Sequence, residues 1–157
     1  MALYYAGIGS RRTPEPLCHK MTQYASLMEH SGMILRSGGA IGADSAFEAG
    51  VKSEDAKQIF KAENYTSDAM RLSRAFHPNW NALSEYAKRL MARNAMIILG
   101  EDLDEPVQMV IFWAPQDSKD GRVLGGTGHG IRIAKEWEIP CYKIIETNPT
   151  TIGMETV

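Results

Sequence analysis

Three glycine-rich segments carry the residue types best suited to holding a ligand. They read GIGSRRTP (residues 7–14), SGGAIGAD (37–44) and GGTGHG (125–130). Glycine lets the backbone approach a ligand closely, and the free N–H groups at a helix start attract phosphate. A single segment of this kind is also typical of an ordinary tight turn. Three of them favour a nucleotide-type small molecule as the ligand, and no further cofactor is expected.

The candidate ligand-binding residues are the glycines, hydroxyl groups and charged groups of these segments, which would supply close backbone approach and hydrogen-bond donors. They are Gly9, Ser10, Arg11, Arg12, Ser37, Gly38, Gly39, Gly42, Asp44, Gly125, Gly126, Thr127, Gly128 and His129.

Two of these residues have competing interpretations. Asp44 stands at a predicted helix start, where it would either compensate the helix dipole or accept a hydrogen bond from a ribose hydroxyl. His129 lies inside a glycine-rich segment, where a core role is implausible, so we expect it to contact phosphate.

Three further residues are weaker candidates. His77 follows Phe76 and precedes a proline, a setting more often structural than catalytic, whereas Trp80 would stack on a base if the segment formed a lip over the ligand. Trp113 ends a predicted strand, where lining the site and packing in the core are equally compatible with the sequence.

Several chemistries are disfavoured. No Gly-Lys-Ser/Thr occurs, which argues against a P-loop, and GIGSRR lacks the third glycine of a dinucleotide-binding turn. No Ser/His/Asp order, paired carboxylates or metal-ligand spacing indicates a reaction centre. Binding is therefore favoured over catalysis, and no catalytic or metal-binding residue is assigned.

Apolar runs alternate with helical periodicity along the chain. The predicted strands cover residues 3–10, 33–37, 57–62, 107–115 and 140–145. The first predicted helix begins at Pro14 and is stopped by Gly32. The other predicted helices cover 42–50, 81–99 (with a possible break at Asn94) and 131–138. Residues 63–80 are predicted to be irregular with one helical turn.

This alternation predicts an α/β fold with a Rossmann-like open, mostly parallel sheet of about five strands and helices on both faces. Residues 1–146 would form a single domain and residues 147–157 an extended tail. In such sheets, ligands bind beyond the carboxyl ends of the strands, where all three glycine-rich segments are expected.

The bulk composition fits this fold. The 157 residues are 44% hydrophobic and 23% charged, with a formal net charge of −2, so the chain is not a polycation. Its two distant cysteines are expected to be free thiols in a reducing cytosol. No signal peptide or membrane span is expected, so a cytoplasmic location without a membrane partner is predicted.

A family resemblance follows from GIGSRRTP, LRSGGAIGADSAFEAG (35–50) and MARN (91–94). Together these segments resemble the Rossmann-like core of the DNA-processing protein A (DprA/Smf) family, with its Gly-x-Ser-Arg turn, Ser-Gly-x-Ala-x-Gly-x-Asp loop and later Arg-Asn. The segment GGTGHGIRIA is similar to the PGGxGT loop of the lysine-decarboxylase-like (LOG) proteins, which release bases from nucleoside monophosphates. Both families belong to the SLOG superfamily. The resemblance runs from about Tyr5 to Tyr142 and implies ligand contacts by Arg93 and Asn94.

The combination looks most like small single-domain DprA-like proteins of phages and mobile elements, but two residues depart from the family patterns. Ile41 stands where the DprA loop normally has Arg, which removes a positive charge from the place where the family meets nucleic acid or phosphate. Arg132 stands where the LOG loop has the Glu of the hydrolase.

These observations favour the binding of a nucleotide or nucleotide-derived molecule. In a phage protein, family context suggests an ADP-ribose-type or cyclic-nucleotide signal that is sensed or sequestered in the bacterial host cytosol. The alternatives are a DprA-like single-stranded DNA-binding protein, for which Arg71 and Arg74 would add charge, and a nucleoside-monophosphate phosphoribohydrolase. A homodimer or higher homo-oligomer is expected, with the apolar stripe of residues 81–91 as a candidate interface.

Overall fold

The computed structural model describes residues 2–148 and 151–157, in which short connections join alternating strands and helices. The strands and helices are, in chain order, β1 (Leu3–Gly9), α1 (Glu15–His30), β2 (Met33–Ser37), α2 (Ala43–Ala49), β3 (Lys57–Ile59), α3 (Ser67–Phe76), α4 (Glu85–Leu99), β4 (Val110–Trp113), α5 (Gly125–Glu136), β5 (Cys141–Asn148) and β6 (Thr151–Thr156). Short 3-10 turns cover Glu54–Ala56, Ala62–Asn64 and Trp80–Ala82.

The six strands form one sheet in the order β3-β2-β1-β4-β5-β6. The first five strands are parallel, and β6 runs antiparallel to β5. The order reverses at β1, because the chain builds outward to β2 and β3 and then returns to place β4 on the other side of β1. This reversal leaves a crevice between the carboxyl ends of β1 and β4, where open α/β sheets bind their ligands.

Helices cover both faces of the sheet, as the sequence predicts. On one face, α1 and α2 pack through Met21 and Phe47 onto Tyr5 and Ile111 of the sheet. On the other face, α4 and α5 pack onto alternate strand residues such as Phe112. Because neighbouring strand residues point to opposite faces, a sheet covered on both sides needs continuous apolar strands. The α/β, Rossmann-like fold class is therefore confirmed.

Residues 63–80 differ from the prediction, because most of them form the ten-residue helix α3. Thr66 caps this helix by accepting a hydrogen bond from the Ala69 N–H over 3.1 Å. Ala69 and Ser73 are its fully buried residues, and Leu72 and Phe76 on the same face pack against the core, so the sequence does carry a helical apolar spacing that the prediction of an irregular segment missed. Helix α4 is also continuous through Asn94, where the sequence allows a break.

The third glycine-rich segment is the first half of α5 and not a loop before it. The helix begins at Gly125, whose φ of +71° is in the left-handed region, and it continues through Gly126 to Gly130. A side chain at Gly128 would collide with the backbone of Val123, since a Cβ would lie 2.9 Å from the Val123 carbonyl carbon. The glycine at position 128 therefore serves close packing of α5 against the preceding segment.

His129 is consequently a core residue, and the prediction that excluded a core role for it is wrong. Its side chain is fully buried between α3 and α4. The Ser73 hydroxyl donates to the Met91 carbonyl over 3.0 Å, so the Ser73 oxygen accepts from His129 Nε2 over 3.1 Å. This assigns the proton to Nε2, and Nδ1 has no hydrogen-bond partner among the described residues.

The segment that the sequence assigns to an extended tail completes the sheet. β5 reaches Asn148, and β6 pairs along it, for example at Ile144 with Met154 and at Tyr142 with Thr156. The sheet accordingly has six strands, one more than the approximate number predicted. In the described part of the chain, no helix has both the length and the apolar character needed to cross a membrane.

The burial of His129 predicts a measurable pH dependence of stability. Burial lowers the pKa of His129 from 6.5 to about 3, with a smaller contribution from the nearby Arg132 charge. Below pH 6.5 the unfolded chain binds a proton that the folded protein excludes, so this group lowers stability as the pH falls. The loss between pH 7 and pH 5 is expected to be about 2 kcal/mol.

Urea unfolding of the wild type and of His129→Asn, which keeps a donor for Ser73, tests this expectation. The variant should be less stable at pH 7, and the difference should shrink by about 2 kcal/mol at pH 5. His19→Asn is the control for the loss of a surface histidine, because the His19 side chain is 74% exposed. If the stabilities of the wild type and His129→Asn changed in parallel with pH, the buried His129 would not be the cause of the pH dependence.

Candidate functional site

A crevice of about 630 Å³ lies at the carboxyl ends of β1 and β4. Its walls come from the turn after β1, the start of α2, one side of α4 and the start of α5. The lining residues are Ile8, Gly9, Ser10, Arg11, Arg12, Ala40, Asp44, Tyr86, Leu90, Met91, Arg93, Asn94, Pro115, Leu124, Gly125, Gly126 and Thr127. Parts of all three glycine-rich segments therefore meet at one site.

The turn after β1 is held rigidly by its own backbone and by β4. The Ser10 N–H donates to the Trp113 carbonyl over 2.9 Å, and the Ser10 hydroxyl oxygen accepts from the Arg12 N–H over 3.0 Å. The Thr13 hydroxyl donates to the Ser10 carbonyl over 2.7 Å. This leaves the Arg11 and Arg12 side chains exposed at the rim of the crevice.

Gly42 allows the second segment to pack against that turn. Its φ is +86°, and a Cβ there would lie 2.6 Å from the Ser10 carbonyl oxygen and 2.8 Å from Arg11 Cα. Both the left-handed backbone and the close contact require glycine at this position. The turns after β1 and β2 are thus fixed against each other where the crevice opens.

Arg93 connects α4 to the segments that follow β2 and β3. Its guanidinium is buried, and Nη1 donates to the carbonyl of Gly38 over 2.7 Å and to the carbonyl of Phe60 over 3.1 Å. Burial lowers the pKa of Arg93, and the negative charge of Asp44 opposes that shift. Arg93 Nε has no hydrogen-bond partner among the described residues, so the group keeps one free donor.

Asp44 is the acidic residue of the crevice wall. Its side chain is buried in the first turn of α2, and Oδ2 accepts from the Ala40 N–H over 3.3 Å. Burial raises the pKa of Asp44 to about 6, although the nearby Arg93 guanidinium lowers it in part. A carboxylate in this position can accept a hydrogen bond from a ligand hydroxyl.

The start of α5 forms the opposite wall. Gly125, Gly126 and Thr127 line the crevice, and the Asn94 side-chain amide donates to the Gly126 carbonyl over 3.1 Å. A helix N-terminus with free N–H groups is suited to an anion. The Arg-Asn pair singled out by the family resemblance therefore lies at the crevice, with each residue fixing a different wall.

The other predicted site residues do not line the crevice. The Ser37 hydroxyl is buried and donates to the Gly7 carbonyl over 2.6 Å, which makes it a structural residue. Gly38, Gly39, Gly42, Gly128 and His129 support the walls or the core without lining the crevice.

The weaker candidates lie elsewhere. Trp80 lines a separate cavity, and the His77 ring packs edge-on against the Trp80 ring with the ring centroids 6.2 Å apart. Trp113 packs beside Lys143 on the α1/α2 face of the sheet. The exposed Ile41 is outside the crevice lining.

The sequence did not predict that the apolar stripe of α4 lines the crevice. Tyr86, Leu90 and Met91 line the crevice, whereas the sequence suggested this stripe as an interface between copies of the chain. The Tyr86 side chain is 60% exposed. A helical apolar periodicity identifies a buried or shared face but does not say what covers it, so no sequence signal could separate these roles.

No group of three or more histidine, cysteine, aspartate or glutamate side chains within residues 2–148 and 151–157 is arranged to hold a metal ion. The crevice instead offers two exposed guanidinium groups, hydroxyl and amide groups, helix N-termini and one aromatic ring. This donor set suits an anionic ligand with a flat ring.

Comparison with known proteins gives a result for structure but none for sequence. No protein-family model matches the sequence, and no curated protein matches it significantly. The fold is similar to that of DNA processing protein A from Helicobacter pylori, with a TM-score of 0.60. The two proteins are 19% identical, and the match covers 94% of this chain and 67% of the other. That structure was solved to explain how the Helicobacter protein binds single-stranded DNA. The comparison supports a DprA-like fold for this chain.

The contact between Gly38, Arg93 and Asp44 generates a stability prediction. A Cβ at Gly38 would lie 2.8 Å from both Arg93 Cζ and Asp44 Oδ2, so Gly38→Ala must displace a buried charged group. We expect a loss of about 1–3 kcal/mol in the free energy of unfolding, measured by urea denaturation.

Gly130→Ala is the matched control. Its Cβ would approach Ile8 Cδ1 at 3.4 Å, an ordinary contact, and alanine is favoured over glycine inside a helix. Its stability should be unchanged or higher by up to about 1 kcal/mol. Equal stabilities of the two variants would show that Gly38 is not constrained by the charged pair.

Proposed function

We propose that this protein binds single-stranded DNA, with the phosphates and one base of the strand in the crevice between β1 and β4. The fold shared with the Helicobacter protein supports this proposal, because that protein binds single-stranded DNA. The proposal replaces the preference for a small nucleotide that the sequence suggests.

The observation that carries the proposal is the presence of an exposed aromatic ring and two exposed arginines in the same crevice. Tyr86 comes from α4, and Arg11 and Arg12 come from the turn after β1. Proteins that bind single strands combine cations for the backbone with aromatic rings on which bases stack. Stacking tolerates any base, so we expect binding with little sequence preference.

The two arginines are available to phosphate. Within the part of the chain that the structure describes, neither Arg11 nor Arg12 forms an ion pair. Ser10, Thr127 and the N-terminus of α5 supply uncharged donors nearby. The formal net charge of −2 means that attraction to DNA must come from this local group of donors and not from the whole surface.

Removing both rim arginines should weaken DNA binding and reduce its salt dependence. Each phosphate contact to a single strand contributes about −0.7 to the slope of log K against log salt. The slope of the double variant Arg11→Ala/Arg12→Ala should therefore be smaller in magnitude by about 1.4. Fluorescence anisotropy of a labelled thymidine oligonucleotide over a salt series measures both quantities.

Arg122→Ala is the control, because Arg122 is exposed but lies near Asp117 and Asp120 at distances of 3.7 and 3.8 Å. It should bind DNA as the wild type does. The proposal fails if the wild type binds no oligonucleotide at low salt, or if the double variant binds with an unchanged slope.

The Tyr86 ring gives a separate prediction. Tyr86→Ala should weaken oligonucleotide binding about tenfold, since base stacking contributes about 1–3 kcal/mol for each base. Tyr86→Phe keeps the ring and should bind within about threefold of the wild type. Equal binding by the alanine variant would remove Tyr86 from the proposed interface.

A ribonucleotide is the second candidate ligand, and Asp44 is the observation that favours it. The crevice volume of about 630 Å³ is within the usual range for small-molecule sites. A carboxylate in its wall can accept from a 2′-hydroxyl, which DNA lacks.

Thermal unfolding with adenosine monophosphate and with its 2′-deoxy form separates the two candidates. Preferential stabilisation by the ribose form would favour the second candidate, because at equal concentration the ligand that binds the folded state more tightly stabilises it more. Asp44→Asn should then reduce this preference, since an amide is a weaker acceptor than a carboxylate. Similar shifts with both forms would show that Asp44 does not select a ligand with a 2′-hydroxyl.

A further inference from the structure

A second cavity, of about 390 Å³, lies between α3 and the first half of α4. The side chains that matter here are Tyr65, Arg71, Arg74, Trp80 and Lys88, all of which line it. The loop carrying Trp80 connects the two helices, so α3, α4 and their connection all contribute to the cavity.

Its aromatic residues are supported by neighbouring groups. Lys88 Nζ lies 5.8 Å from the centroid of the Trp80 ring, within cation–π distance, and the His77 ring packs edge-on against the same indole. The Arg89 guanidinium lies 5.4 Å from the Tyr65 ring. Trp80 remains partly exposed and faces the cavity.

The charge of the lining is positive, in contrast to the net charge of the chain. Three cations line the cavity against one acid, Glu85. Arg71 forms an ion pair with Asp68, whereas neither Arg74 nor Lys88 forms one in the described ranges. Two cations beside a tryptophan suit a nucleotide, because the cations can contact its phosphate while its base stacks on the indole ring.

Helix α4 places this cavity next to the crevice. Tyr86 and Leu90 of α4 line the crevice, while Glu85 and Lys88 of the same two turns line the second cavity. A helix with its side chains is about 10–12 Å wide, so a strand crossing α4 near its start would reach both.

We propose that the second cavity is a further subsite for the same single strand, in which one base stacks on Trp80 and its phosphates contact Arg74 and Lys88. This inference rests on the proposed function. It also revises the sequence expectation that Trp80 forms a lip over the crevice, because the indole serves a separate cavity. An acidic peptide is the other ligand that the charge would suit, although it would make no use of base stacking.

The experiment compares a thymidine dinucleotide with an oligonucleotide of about 16 nucleotides, a length that spans more than one base-binding position. Tryptophan fluorescence and anisotropy are measured for the wild type and for Trp80→Ala, Trp80→Phe and Trp137→Ala. Trp137 is the matched control, since its side chain is 39% exposed and it lies at the end of α5, outside the cavity. Circular dichroism melts verify that each variant is folded.

We expect the long oligonucleotide to bind Trp80→Ala about tenfold more weakly than the wild type, with dinucleotide binding unchanged. Trp80→Phe should keep the affinity but lose the quenching of tryptophan fluorescence, because phenylalanine stacks without the indole signal. Trp137→Ala should retain both affinity and quenching.

Each of the other outcomes contradicts the second subsite, and one of them also contradicts the proposed function of the crevice. If the long oligonucleotide binds Trp80→Ala as it binds the wild type, while Arg11→Ala/Arg12→Ala weakens it, the crevice function stands and the second subsite is wrong. If no oligonucleotide binds the wild type, both proposals fail. If a glutamate-rich peptide binds with Trp80-dependent quenching and DNA does not, the cavity is a peptide site and the subsite proposal is wrong.

Discussion

The buried guanidinium of Arg93 is the interaction on which the crevice depends. Removing a charge from water costs several kcal/mol, and this cost is offset only when the ion is paired and hydrogen-bonded. Arg93 offsets part of this cost by donating to the carbonyls of Gly38 and Phe60, and the nearby negative charge of Asp44 favours its charged form. These partners follow β2 and β3, whereas Arg93 belongs to α4. A displacement of any one element would leave a buried charge without its partners, so the walls keep their relative positions.

Glycine gives the same site its close contacts. Gly42 lies against the backbone of Ser10 and Arg11, and Gly38 lies between the two charged side chains. Neither glycine lines the crevice. Their effect is to let the start of α2 pack closely against the backbone of the turn that carries Arg11 and Arg12.

Much of the fold was accessible from the sequence because β1 and β2 are mostly apolar runs that lead into glycine-rich turns and β4 is a continuous apolar run. The helix α3 was not predicted, because its apolar residues Ala69, Leu72 and Phe76 are interleaved with polar and charged ones, so its segment was interpreted as irregular. His129 was misassigned because consecutive glycines indicate a loop, and only the packing of Gly128 against Val123 shows why a helix needs them. The crevice itself was predictable from the order of strands and glycine-rich turns. The position of Tyr86 of α4 in the crevice was not predictable, because an apolar helical stripe can face a ligand, a partner or the core.

The pairing of β1 with β4 has a consequence for how the protein forms. Ala6 pairs with Val110, and four helices and two strands lie between them in the chain. Contacts of such long sequence separation form slowly and close late, because a long loop must be ordered before they stabilise anything. During synthesis β1 can pair with β2 early, but its other edge stays open until β4 has been made. The crevice, which needs both β4 and α5, is therefore among the last parts of the molecule to assemble, and a partly synthesised chain lacks it.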